Sequence, residues 1–135
     1  MKKDHWYNSP HDSPNSQVEF KMSKERSQTS CCLFDDDTIY VFGGYCRNEG
    51  TLSIIERLHI KSKKIEMLEL KMPLPLRRFA SIKISTTKIL FLGGLQRMSK
   101  ESDAVFCFDL EKDYNIEQLD KIEKPGIIDY PIILD

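Results

Sequence analysis

Long hydrophobic runs are missing from this 135-residue chain. No stretch approaches the roughly 20 apolar residues that a helix needs to cross a bilayer, so no membrane partner is expected. An excess of one charge is missing too. Twenty basic residues face 21 acidic ones, for a net charge of −1, and neither sign forms a long run. That balance gives no electrostatic reason to expect nucleic acid. The opening residues Met1-Lys2-Lys3-Asp4-His5-Trp6 carry charge with no apolar segment behind them, which does not read as a secretory signal.

Cysteine and histidine are sparse. Cys31, Cys32, Cys46 and Cys107 contain no C-x-x-C pair, and adjacent Cys31 and Cys32 in a strand point to opposite faces. Reduced thiols in a cytoplasmic or nuclear compartment fit this pattern better than a disulfide framework, and no zinc-ligand spacing is present. His5 and His11 sit in a polar stretch, and His59 stands alone in a strand pattern. With no nucleophile elbow, no G-x-x-x-x-G-K-[ST] and no G-x-G-x-x-G, the chain assembles no catalytic constellation and implies no cofactor or metal. It reads as a non-enzyme.

What the chain does have is a repeat. Ile39-Tyr40-Val41-Phe42-Gly43-Gly44 returns as Ile89-Leu90-Phe91-Leu92-Gly93-Gly94, fifty residues on. The register extends outward: Ser30 falls on Ala80, Cys32 on Ile82, Ile55 on Val105 and Leu58 on Phe108. A period near fifty marks stacked supersecondary units, each needing a neighbour to bury its apolar face.

Short apolar runs separated by turn residues make the chain all-β. The first copy offers strands over residues 29–34, 38–42, 53–60 and 64–70. The second follows with 103–110 and 114–119 after its own first pair. Asp35-Asp36-Asp37 reads as a hairpin turn, since Asp bonds its own backbone and tolerates the left-handed region. Ser85-Thr86-Thr87 stands at the same place in the second copy, so a calcium loop is disfavoured. Residues 39–42 and 89–92 are apolar throughout, which predicts strands buried on both faces. Gly43, Gly44, Gly93 and Gly94 end them as structural glycines, allowing positive φ and close backbone approach.

Residues 1–16 are polar and hold two prolines, a composition expected of a disordered tail. The Ser9-Pro10 and Ser13-Pro14 pairs in it are minimal proline-directed kinase sites, but such pairs are common in tails.

Four strands in about fifty residues, a Gly-Gly after the second, and Met72-Pro73 leading to Arg77-Arg78 resemble kelch repeats. Ile55-Glu56-Arg57-Leu58 is similar to the family's V-E-R-Y stretch, with Leu58 in place of the usual Tyr. Phe108 fills that position in the second copy, while Ile65 and Ile116 replace the usual Trp. The resemblance covers residues 17–124. It implies antiparallel four-stranded blades of a partial kelch-type β-propeller. Residues 17–27 would be the outer strand of a preceding blade, 28–74 a first blade and 75–124 a second. Residues 125–135 would begin a further one, although Pro131 interrupts its ladder.

The resemblance also implies a non-catalytic interaction module that binds a protein or peptide through loops on one rim. The matching rim positions are Tyr45, Arg47, Asn48, Gln96, Arg97 and Met98, with Arg77 and Arg78 in the connecting loop. Arginines suit an acidic peptide because guanidinium binds carboxylate through two parallel hydrogen bonds. The alternatives are a fragment of a larger propeller enzyme, such as a kelch-like oxidase, and a degenerate remnant. Two blades alone would leave two apolar faces open, forfeiting on the order of 10 kcal/mol of burial. Self-assembly, missing blades from a longer chain or an opened two-sheet sandwich would each answer that cost.

Overall fold

The computed structural model describes residues 21–111 and 115–119. Among these residues ten strands follow in chain order: β1 (Ser30–Leu33), β2 (Thr38–Phe42), β3 (Tyr45–Cys46), β4 (Gly50–Thr51), β5 (Ile55–His59), β6 (Lys64–Met67), β7 (Ala80–Lys83), β8 (Lys88–Leu92), β9 (Val105–Asp109) and β10 (Asn115–Gln118). They form two antiparallel four-stranded sheets, β1-β2-β5-β6 and β7-β8-β9-β10, with β3 and β4 as a separate small hairpin. The fold is therefore all-β, and each repeat copy contributes one up-and-down sheet. No helix among the described residues is long and apolar enough to cross a membrane.

The two copies turn in the same way with different side chains. In the first, the Phe34 N–H donates to the Thr38 carbonyl (2.8 Å) and the Asp37 N–H to Asp35 Oδ1 (2.9 Å). That backbone hydrogen bond holds the Asp35 carboxyl below its usual range. In the second, the Ile84 N–H donates to the Lys88 carbonyl (2.9 Å) and the Thr87 N–H to Ser85 Oγ (3.2 Å). A hydroxyl thus replaces the carboxylate without changing the turn.

Strand alternation delivers the core. Tyr40 and Phe42 of β2 share a face with Cys32 and Ile55, as the β1-β2-β5 register requires. Ile89 and Phe91 of β8 share a face with Phe108 and Phe106 of β9. These two faces meet. Phe42 approaches Phe91 with ring centroids 4.5 Å apart, and Tyr40 approaches Phe108 at 5.6 Å, edge to face. Each such pair contributes about 0.5–1.5 kcal/mol beyond its burial. The first strands of the two sheets also touch, through a 2.7 Å hydrogen bond between Ser30 Oγ and Ser81 Oγ.

Burial on both faces of β2 and β8 is only partly realised. Tyr40, Val41 and Phe42 are buried, but Ile39 is half-buried. In β8, Ile89 and Phe91 are buried while Leu90 and Leu92 are half-buried. The cause is positional. Ile39, Leu90 and Leu92 lie on the outward faces of the sheets, and among the described residues no second sheet covers those faces. Leu33 and Ile84, 62% and 49% exposed, lie there too.

The middle of the first sheet's outward face is occupied differently. Glu56 is fully buried there, and the Arg26 guanidinium meets it at 2.5 Å, with both side chains shut off from solvent. Ser23 donates to the same carboxylate through both its backbone N–H and its hydroxyl.

The proposed tail over 1–16 and the strand over residues 125–135 lie outside the described residues. So does the start of the strand expected within 17–27; Lys21 and Met22 are described and are not in a strand. Among the described residues no disulfide forms, and Cys31 is exposed while Cys32 is buried, as opposite strand faces demand.

Candidate functional site

Each Gly pair delivers the chain from a buried strand into a loop on one edge of its sheet. Gly43 takes φ +56°, and a Cβ there would stand 2.3 Å from the Leu76 carbonyl oxygen. Side chains other than hydrogen are thus refused by both backbone conformation and space. The loops that follow repeat their pairing. Tyr45 and Ser27 exchange backbone hydrogen bonds of 2.7 and 3.0 Å, and Leu95 and Arg77 do the same at 2.8 and 3.0 Å. Those ties hold the connecting segment before each sheet against the loop after its Gly pair.

The arrangement brings residues of both copies together. Arg77 lies with its guanidinium carbon 5.2 Å from the centre of the Tyr45 ring, a cation–π geometry. Its Nη2 donates to Ser99 Oγ at 2.8 Å, and its buried Nε has no acceptor among the described residues. Arg97, Met98 and Ser99 form a 3-10 turn, in which Met98 and Ser99 adopt positive φ. Met98 is 98% exposed, so the turn projects from the surface. Tyr45, Arg77, Arg97, Met98 and Ser99, with Gly50 and Thr51 of the small hairpin, line an open depression of about 320 Å³. No carboxylate stands among these lining residues, which leaves two arginines to set its charge.

The other rim positions do not join them. Arg47 and Asn48 line a separate depression of about 570 Å³ with Ser23, Lys24, Glu25, Cys46 and Glu49. There the charges are already matched. Lys24 Nζ meets Glu49 at 2.5 Å and, by that hydrogen bond, holds the Glu49 carboxyl below its usual range. Arg78 is exposed at φ +52° and its N–H donates to the Gln28 carbonyl (3.0 Å); it lines neither depression. Gln96 also stays outside both, its N–H closing the loop onto the Lys100 carbonyl (2.7 Å).

Two contributors had no signal in the linear pattern. Thr51 and Ser99 are small polar residues, one in the small hairpin and one in the 3-10 turn, and only the approach of these two segments gives them a role. The buried Arg26–Glu56 pair did have a signal. At the equivalent positions the second copy carries Leu76 and Phe106, so the first copy holds two charges where its repeat partner holds two apolar side chains.

Among the described residues no group of three or more His, Cys, Asp or Glu side chains is placed to hold a metal ion. No protein-family model matches the chain, and no curated protein matches it.

Proposed function

We propose that this chain is a non-catalytic protein-interaction module, a kelch-like propeller segment working in the cytoplasm or nucleus. It binds an acidic peptide segment in the depression between Tyr45, Arg77, Arg97 and Met98. The observation that carries the reading is the convergence of Arg77, Arg97 and Tyr45 in one depression that has no carboxylate among its described lining residues. Arginine and tyrosine are the residue types that concentrate binding energy at interfaces. Guanidinium groups pair with carboxylates through directed hydrogen bonds, and Arg77 is already oriented by Tyr45 and Ser99. The Gly-Gly register, the four-stranded meanders and the Met72-Pro73 to Arg77-Arg78 segment support the kelch-like assignment.

The test is fluorescence anisotropy with a panel of labelled Glu- and Asp-rich peptides, each paired with a Gln/Asn version. Micromolar binding of an acidic peptide that weakens with added salt is expected. Arg97→Glu reverses an exposed charge in the depression and should lower that affinity by at least about tenfold, equivalent to roughly 1.4 kcal/mol. Equal binding of acidic and amide peptides, or an unchanged affinity in Arg97→Glu, sinks the proposal.

A further inference from the structure

The two loops that follow the Gly pairs differ in one position that bears on control. Reading them in register, Arg47 falls on Arg97, Asn48 on Met98 and Glu49 on Ser99. The first copy therefore carries a permanent carboxylate where the second carries a hydroxyl. In the first copy that carboxylate is used, since Glu49 pairs with Lys24 at 2.5 Å. In the second, Ser99 Oγ already accepts a hydrogen bond from Arg77 Nη2 at 2.8 Å, and the Arg77 Nε is buried with no acceptor among the described residues. Arg97 lines the same depression. An anion on Ser99 would thus meet one oriented guanidinium with an unused donor and a second guanidinium two residues away.

The same hydroxyl is open to an enzyme. Ser99 is exposed on a projecting turn beside the 98%-exposed Met98, with Arg97 before it and Lys100 after it. That context suits a serine kinase that prefers basic substrates. We infer that Ser99 is a phosphorylation site, and that its phosphate folds back onto Arg77 and Arg97 and closes the depression to acidic peptides. In the reaction Ser99 Oγ attacks the γ-phosphorus of ATP, the bond to ADP breaks, and the hydroxyl proton leaves to the kinase's base. The product carries about −1.5 to −2 charge at neutral pH and three strong acceptor oxygens, enough to engage both arginines. Regulation of peptide binding rests on the function proposed above; the seating of the phosphate on Arg77 does not.

The experiment uses the full chain with phosphoserine placed at position 99 during synthesis. Phosphorus NMR follows the titration of the phosphate, whose charged neighbours are Arg77, Arg97, Lys100 and the exposed Glu101. A phosphate held by Arg77 should titrate roughly one unit below the usual value near 6, and Arg77→Lys or Arg97→Ala should move it back. A phosphate that titrates like free phosphoserine overturns the inference. Peptide affinity should fall at least about tenfold in the phosphorylated chain. A seated phosphate with unchanged peptide affinity overturns the switch and leaves peptide binding standing. If the unmodified chain binds no peptide, the function proposed above fails while the phosphate titration still decides the seating. Finally, a kinase that modifies a synthetic peptide of residues 95–102 should modify Ser99 in the folded chain, read by mass spectrometry. Failure to do so overturns the assignment of the site.

Discussion

Replacing Glu56 by leucine should be among the most damaging single changes in this chain. The carboxylate is fully buried and is the acceptor for the equally buried Arg26 guanidinium. Two of Arg26's nitrogens, Nε and Nη2, already lack acceptors among the described residues, where Glu56 is the carboxylate that meets its charge. Glu56→Leu strips that charge of its counter-ion without letting it reach water. Removing one partner of a buried pair costs about 3–5 kcal/mol. For a domain whose whole stability is about 5–15 kcal/mol, that is a large share. With a slope of about 2 kcal/mol per molar urea, the unfolding midpoint should fall by about 2 M. The double substitution Arg26→Leu with Glu56→Leu removes both charges and mimics the second copy, where Leu76 and Phe106 are 1% and 2% exposed. It should recover to within about 1 kcal/mol of the parent or exceed it, since an apolar replacement of a buried ion pair is often neutral or stabilising. Urea titrations followed by far-ultraviolet circular dichroism measure all three proteins. The reasoning fails if Glu56→Leu stays within about 1 kcal/mol of the parent, or if the double variant is no more stable than the single one.

Glycine substitutions should separate space from backbone conformation: Gly43→Ala sets a Cβ 2.3 Å from the Leu76 oxygen at φ +56°, whereas Gly50→Ala at φ +79° meets nothing within 4 Å. The first should cost about 3 kcal/mol or more and the second about 1 kcal/mol, compared by thermal melting. Alkylation by iodoacetamide at mildly alkaline pH, mapped by mass spectrometry, should modify exposed Cys31 well before Cys32, whose thiol burial pushes up in pKa. A Cys32 that reacts as fast as Cys31 would mean that the first sheet's inner face opens readily. The hydrogen bond from His59, and then that from Arg57, hold the Glu66 carboxyl below its ordinary value of 4.5. A lowered carboxyl pKa stabilises the fold above 4.5, and that contribution is lost as the pH falls through the folded value. Because Glu66 is exposed, Glu66→Gln should cost less than about 1 kcal/mol at pH 7, and the difference should shrink as the pH falls below 4.5 and the carboxyl takes up its proton. A difference that persists at low pH would show that the ion pairs are not its source.

The sequence by itself settled what local chemistry and periodicity settle. Strand alternation, the fifty-residue register and the turn residues at 35–37 and 85–87 determined two four-stranded antiparallel sheets and where each would turn. The pattern within a strand also told which side chains share a face, because the side-chain period of two leaves no other choice. It overstated burial at Leu90 and Leu92, because an apolar run says what a strand can bury and not whether a neighbour is present to bury it. The candidate site was legible only as a set of loop positions. The tertiary structure sorted that set, joining Tyr45 to Arg77 and Arg97 while leaving Arg47 and Asn48 beside Lys24 and Glu49. It also put Arg26 against Glu56 across thirty residues of chain. The first of these depends on how two loops approach in space, which carries no trace in local spacing, whereas the second shows only in the register, where the other copy holds Leu76 and Phe106. Partners that meet only after the sheets have packed are chosen by the packing, and the residues between them in sequence do not record the choice.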